Sequence, residues 1–180
     1  ASYEECTDDL NRVCADLANC AGDTAIALSQ IADNGVFVET KKDYAKSMVT
    51  GFIRLNGMTV GAVANRGEIY DETGALVESF GGMMTSAGAK KAAEFVNFCD
   101  AFAIPVLTLV NVKGFEASKC SEKHMPKSVA KLIYAYANAT TPKVTVVVGA
   151  AYGSAYVAMN SKSIGADMVY SPRSEERRVG

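Results

Sequence analysis

The 180-residue chain reads as an α/β protein built on a largely parallel sheet that is covered on both faces. Two observations predict this. The apolar runs Pro105 to Asn111 and Val144 to Val148 lack polar alternation, as strands buried on both faces require. Between them lie segments whose apolar residues recur at helical spacing.

The elements follow in order. Cys6, Leu10, Val13, Leu17 and Cys20 form one stripe of a surface helix that Gly22 stops. A second helix, Thr24 to Ala32, ends before Asn34-Gly35, a pair that tolerates the positive φ of a turn. Residues 1–35 are thus a helical lead-in, and 36–172 form the domain proper. Val49 to Leu55 and Met58 to Ala64 are β-rich and separated only by Asn56-Gly57, which predicts a hairpin closed by a type I′ turn. Asn65 to Thr85 carries four glycines among acidic residues, so a surface connection is expected, with a short strand at Ala75 to Glu78.

From Ser86 onward the β/α alternation is plain. Ser86 is placed to N-cap a helix with Ala92, Phe95, Val96 and Cys99 on one face, which feeds the strand Pro105 to Asn111. Pro126 marks the start of the next helix, with Val129, Leu132, Ile133 and Tyr136 as its stripe. The strand Val144 to Val148 runs through Gly149-Ala150-Ala151-Tyr152-Gly153 into a helix of small residues ending at Met159, and Asp167 to Tyr170 is the last strand. Residues 173–180, RSEERRVG, turn abruptly charged without periodicity and are set apart as a tail foreign to the domain.

Composition removes several function classes. Eighteen basic against twenty acidic residues, with no Lys/Arg cluster among aromatics, argue against nucleic acid. No apolar run approaches the roughly 18 residues of a membrane span, and the start, with Glu4, Glu5, Asp8 and Asp9, is unlike a secretion signal. Five cysteines without a CxxC pair signal neither a disulfide framework nor a zinc site, so no metal and a cytoplasmic setting are expected.

Side-chain catalysts are scarce. The single histidine, His124, beside Lys123, reads as a solvated loop or helix-start residue. Backbone N–H groups are the better candidates for stabilising developing negative charge, and two places supply them. One is Gly114-Phe115 after a buried strand; the other is Gly153-Ser154-Ala155 at a helix N-terminus. Two such donors converging on one oxygen would form an oxyanion hole. Glycine at such turns is also commonly only a turn, and spacing leaves both open. A P-loop fails for want of GxxxxGK[ST], and no GxGxxG occurs. Ser154 with His124 as base lacks both the G-x-S-x-G context and an acid partner for a hydrolase.

Several stretches, taken in order, resemble the carboxyltransferase β subunits of biotin-dependent acyl-CoA carboxylases and decarboxylases. They include Gly51-Phe52-Ile53-Arg54-Leu55-Asn56-Gly57, Lys91-Ala92-Ala93-Glu94-Phe95-Val96, Gly114-Phe115, Lys131-Leu132-Ile133-Tyr134-Ala135-Tyr136, Pro142-Lys143-Val144, Ala151-Tyr152-Gly153-Ser154-Ala155-Tyr156 and Gly165-Ala166-Asp167. The likeness runs from about Ile31 to Ser171 and is to the C-terminal half of those subunits.

The resemblance implies a crotonase-like fold, a spiral of ββα units, and transfer of carboxyl between carboxybiotin and an acyl-CoA. It implies that Gly114, Phe115, Ser154 and Ala155 form the oxyanion hole for the biotin ureido group, with Tyr152, Gly153 and Tyr156 in the biotin site. The biotin arrives on a carrier protein, and the N-terminal carboxyltransferase domain of a neighbouring copy, in a dimer or hexamer, completes the active site. Val157 stands where many relatives carry an aspartate linked to substrate choice, Lys113 where proline is common, and Ser154 where a second glycine is common. Alternatives of the same resemblance are a decarboxylase, with a membrane partner if it pumps ions, and a non-catalytic docking or assembly module.

Overall fold

The computed structural model describes residues 8, 9, 14, 17, 19–71 and 73–171. Cys6, Leu10 and Val13 of the expected first stripe, and the 173–180 tail, lie outside the described residues; Leu17 and Cys20 pack against the core. After a short 3-10 turn at Asn19–Ala21 comes α1, Thr24–Ile31, whose N-cap Asp23 accepts the Ala25 N–H. Ala27 and Leu28 of α1 are fully buried, and the turn beyond has Asn34 and Gly35 at positive φ, as expected.

Three strands follow: β1, Phe37–Thr40; β2, Met48–Leu55; and β3, Met58–Asn65. β2 and β3 are the anticipated hairpin, and φ is positive at both Asn56 and Gly57, as a type I′ turn demands. The connection beyond it forms an exposed ribbon of β4, Glu68–Tyr70, and β5, Leu76–Ser79, then β6, Met83–Met84. The anticipated strand is there, shifted by one residue, but Asn65, Arg66 and Met84 at the two ends are buried.

The rest alternates: α2, Ser86–Ala101; β7, Val106–Val112; β8, Gly114–Phe115; α3, Lys119–Asn138; β9, Lys143–Ala151; α4, Gly153–Ala158; β10, Met168–Tyr170. The main sheet has the order β1-β2-β3-β7-β9-β10. Its first three strands are antiparallel, whereas β3, β7, β9 and β10 run parallel. The sheet is therefore parallel over β3, β7, β9 and β10, as expected, and antiparallel where the hairpin and β1 extend it. A two-residue turn can only reverse a strand, while helical crossovers return it in the same direction.

Both faces are covered. Val106, Val110 and Val112 of β7 pack in a core with residues of α2, α3 and α4, while Leu107 and Leu109 face a second core with Ala27 and Leu28 of α1. This is the period-two division expected of a two-sided strand.

Two helix starts differ from expectation. Thr85, not Ser86, caps α2 by accepting the Gly88 N–H, and the Ser86 hydroxyl instead meets that of Ser128 on α3 at 2.9 Å. α3 begins at Lys119, capped by Ser118, so Pro126 lies inside it and His124 is helical rather than in a loop. The early turns of α3 bury Ser121, Met125 and Ser128; two serines in that stripe conceal its helical period from an apolar count.

Candidate functional site

The two candidate donor segments leave the sheet side by side. Val112 ends β7 opposite Ala151 at the end of β9, and the Tyr152 N–H donates to the Val112 carbonyl at 3.1 Å. The chains then diverge, one into β8 and the other into α4, and α4 packs back against β8.

β8 pairs with β6, Met83 opposite Gly114 and Met84 opposite Phe115. The Glu116 N–H donates to the Met84 carbonyl at 2.9 Å. Successive N–H groups of an extended chain point to opposite sides, so that of Phe115 is directed away from β6. Gly114 is not at positive φ, and a Cβ there would make only ordinary contact with Met83. The expected glycine turn is thus a short strand, and nothing in the fold demands glycine at 114.

At α4, Gly153 does need to be glycine, with φ at +58° and open space around it. Tyr152 is the N-cap residue but makes no side-chain cap bond. The other three α-helices among the described residues are all capped, by Asp23, Thr85 and Ser118. The first N–H groups of a helix, here those of Gly153, Ser154 and Ala155, have no partner one turn back. Because α4 is only six residues long, these local donors outweigh any macrodipole. Ala155 is buried, Tyr156 packs partly buried on the same core, and Tyr152, Gly153, Ser154 and Val157 are exposed.

Beside Phe115 lies a cleft of about 470 Å³ whose apolar wall is Met125, Val129 and Ile133 of α3, with Glu116 and Glu122 also lining it. His124 opens instead into a groove between α2 and α3 with Lys90, Lys127 and Lys131, and Ser154 does not line that groove. The Ser-His pair of a hydrolase is not assembled.

Two of the perturbed titrating groups, Lys91 and Cys99, sit in the core. Burial pushes the Lys91 ammonium down to about 8, opposed by Glu39, and raises the Cys99 thiol to about 12. Lys91 donates to the carbonyls of Tyr44 and Met48 at 2.8 and 2.7 Å, a structural role. Among the described residues no three His, Cys, Asp or Glu side chains are grouped to hold a metal, and no helix is long and apolar enough to cross a membrane. Asn111, which the motifs passed over, stands behind both donor segments; its signal was a carboxamide at the end of an apolar strand.

Known proteins resemble this chain in sequence and fold. The carboxyl transferase domain family matches residues 3–178. The propionyl-CoA carboxylase beta chain of Roseobacter denitrificans is 42% identical over 173 residues, 95% of this chain and 32% of the relative. The methylmalonyl-CoA decarboxylase alpha subunit of Propionigenium modestum is 39% identical, over 91% of this chain and 31% of its own. The solved transcarboxylase 12S structure, with methylmalonyl-coenzyme A and methylmalonic acid bound, superposes with a TM-score of 0.75 at 41% identity, over 83% of this chain and 28% of that one. The geranyl-CoA carboxylase beta subunit of P. aeruginosa gives 0.69 at 31% identity, over 82% of this chain and 26% of its own. The chain thus spans about a third of the length of the relatives it matches, and its fold is crotonase-like. With the fold and the family match in agreement, this chain belongs to the carboxyl transferase family.

Proposed function

We propose that this chain is the biotin-facing, C-terminal part of an acyl-CoA carboxyltransferase subunit, in which the Phe115 and Ala155 N–H groups receive the biotin ureido oxygen. The observation that carries this is the pair of backbone donor segments held side by side by the Tyr152–Val112 bond, one of them on a helix without a side-chain cap.

The residues present suit that cofactor. A ureido oxygen needs N–H donors, and these segments offer them, with no side-chain cap on α4 to occupy them. Gly114, which the fold does not require, leaves the backbone open to close approach, and the cleft by Phe115 has an apolar wall of Met125, Val129 and Ile133 against which a ring system can pack, with Glu116 and Glu122 also lining it. Tyr152, Gly153, Ser154 and Tyr156 flank the donors, and Val157 lies on the same short helix, where it would bear on substrate choice. When bound, biotin on its carrier protein supplies the transferable carboxyl group. The protein's own contribution is fixed N–H dipoles that need not reorganise as charge develops. The acyl-CoA and the N-terminal domain of a neighbouring copy complete this picture, in the cytoplasm.

Carboxyl exchange between biocytin and an acyl-CoA tests the reading in either direction, for a carboxylase or a decarboxylase. In a full-length subunit carrying this segment, Ala155→Pro removes one donor and should lower exchange by about 100- to 1,000-fold with the fold retained. Unchanged exchange would sink the assignment, and no exchange in the unaltered subunit would leave only a docking role.

A further inference from the structure

We infer that Asn111 is a positioning residue, whose carboxamide sets the spacing of the two donor segments; this rests on the function proposed above. Its basis is an irregularity in the sheet. Val110 pairs with Val147 and Val112 with Ala151, so a single residue of β7 faces three residues of β9. Such a bulge interrupts the ladder and leaves backbone groups to be satisfied in another way. The Asn111 side chain does this. Its Oδ1 accepts the Ala150 N–H at 3.0 Å, and its Nδ2 donates to the Ala21 carbonyl at 2.5 Å. A Cβ on Gly149 would lie 2.5 Å from that Oδ1, so the carboxamide occupies the space a side chain at 149 would take.

The position of this clamp gives it meaning. One residue beyond the bulge, the Val112 carbonyl receives the Tyr152 N–H, and the two chains then part towards Phe115 and Ala155. Whatever fixes the bulge fixes which residues of β7 and β9 are level when they leave the sheet. The Nδ2 contact separately ties the clamp to the lead-in at Ala21. A carboxamide has one acceptor and one donor group, and here each has its own partner.

Separating these bonds provides the test, in a full-length subunit with its biotin carrier. Asn111→Asp keeps the acceptor for Ala150 but loses the donor to Ala21; Asn111→Leu loses both. Both should lower the melting temperature. Carboxyl-exchange kcat should stay within about threefold for the Asp variant and fall about 100-fold for the Leu variant, as a displacement of about 1 Å does. Equal kcat per folded molecule in the two variants overturns the positioning role. If Asn111→Leu does not fold, Gly149→Ala, which presses on the carboxamide, should reproduce the kcat loss, and an unaltered kcat with native circular dichroism overturns the role equally. Ala155→Pro in the same assay keeps the two proposals apart. If that variant is inactive while Asn111→Leu is not, the donor assignment stands and the positioning role falls. If Ala155→Pro is fully active, the donor assignment falls and takes the positioning role with it.

Discussion

Two turns in this molecule have the same backbone problem and opposite solutions. At Asn56-Gly57 a glycine at positive φ closes the hairpin, and both N–H groups are taken by the buried Asp33 carboxylate, at 3.1 and 2.7 Å. At Tyr152-Gly153-Ser154-Ala155 another glycine at positive φ opens α4, and no side chain caps the N–H groups that follow. Elsewhere the chain repeats the first solution: Asp100 accepts from the Thr140 and Thr141 N–H groups, and Asp167 from that of Lys143. Carboxylates thus mark where the fold holds itself together. The candidate site is where the protein withholds one.

That contrast can be broken from either side. The largest effect should come from giving the open turn what the others have. Tyr152→Asp places a carboxylate at the N-cap of α4, where it would compete with any incoming oxyanion. Exchange should fall about 100-fold while stability rises by about 1 kcal/mol. Tyr152→Leu, which lacks the cap, serves as the control. Full exchange in the Asp variant, with a raised urea midpoint, would show that the capped N–H groups take no part.

The reverse change, Asp33→Ala, removes two charge-assisted bonds from the hairpin turn. Urea denaturation should reveal a loss of about 2–3 kcal/mol, with specific activity per folded molecule unaltered. A loss of activity without a loss of stability would erase the distinction between the two turns.

The last effect, read only as a slope against pH, concerns the same device with its sign inverted, the Lys91 ammonium on the Tyr44 and Met48 carbonyls. Burial lowers its pKa from 10.5 to about 8, so between those values the unfolded chain holds the proton and the folded chain does not. Stability should therefore rise as pH increases from about 8 towards 10.5, and below about 8 the penalty for the buried charge is full. The neutral amine still has two hydrogens for its two carbonyls. Urea midpoints across this window should climb, and Lys91→Met should flatten the climb; an equal slope in both proteins would remove Lys91 as its cause.

Legibility followed locality. The hairpin was readable because Asn-Gly chemistry acts within two residues, and the buried face of α2 because Ala92, Phe95, Val96 and Cys99 repeat at helical period. The start of α3 was not, since Ser121 and Ser128 occupy core positions without being apolar and Pro126 imitates a beginning. Of the two candidate segments, the helix entry at Gly153-Ser154-Ala155 is legible from local signals, whereas the turn expected at Gly114 is a strand, β8.

By itself, the sequence determined the two-sided strands, the hairpin, the glycine entry into α4 and the family likeness, all of which depend on neighbouring residues or on their order. Only the tertiary structure decided that Val112 and Tyr152 meet, that Asn111 fills the bulge beside Gly149, and that α4 is left without a cap. These depend on the register between β7 and β9. A two-residue period tells each strand which face to bury and leaves its partner and register to contacts distant in sequence, such as those of Asn111 with Ala150 and Ala21.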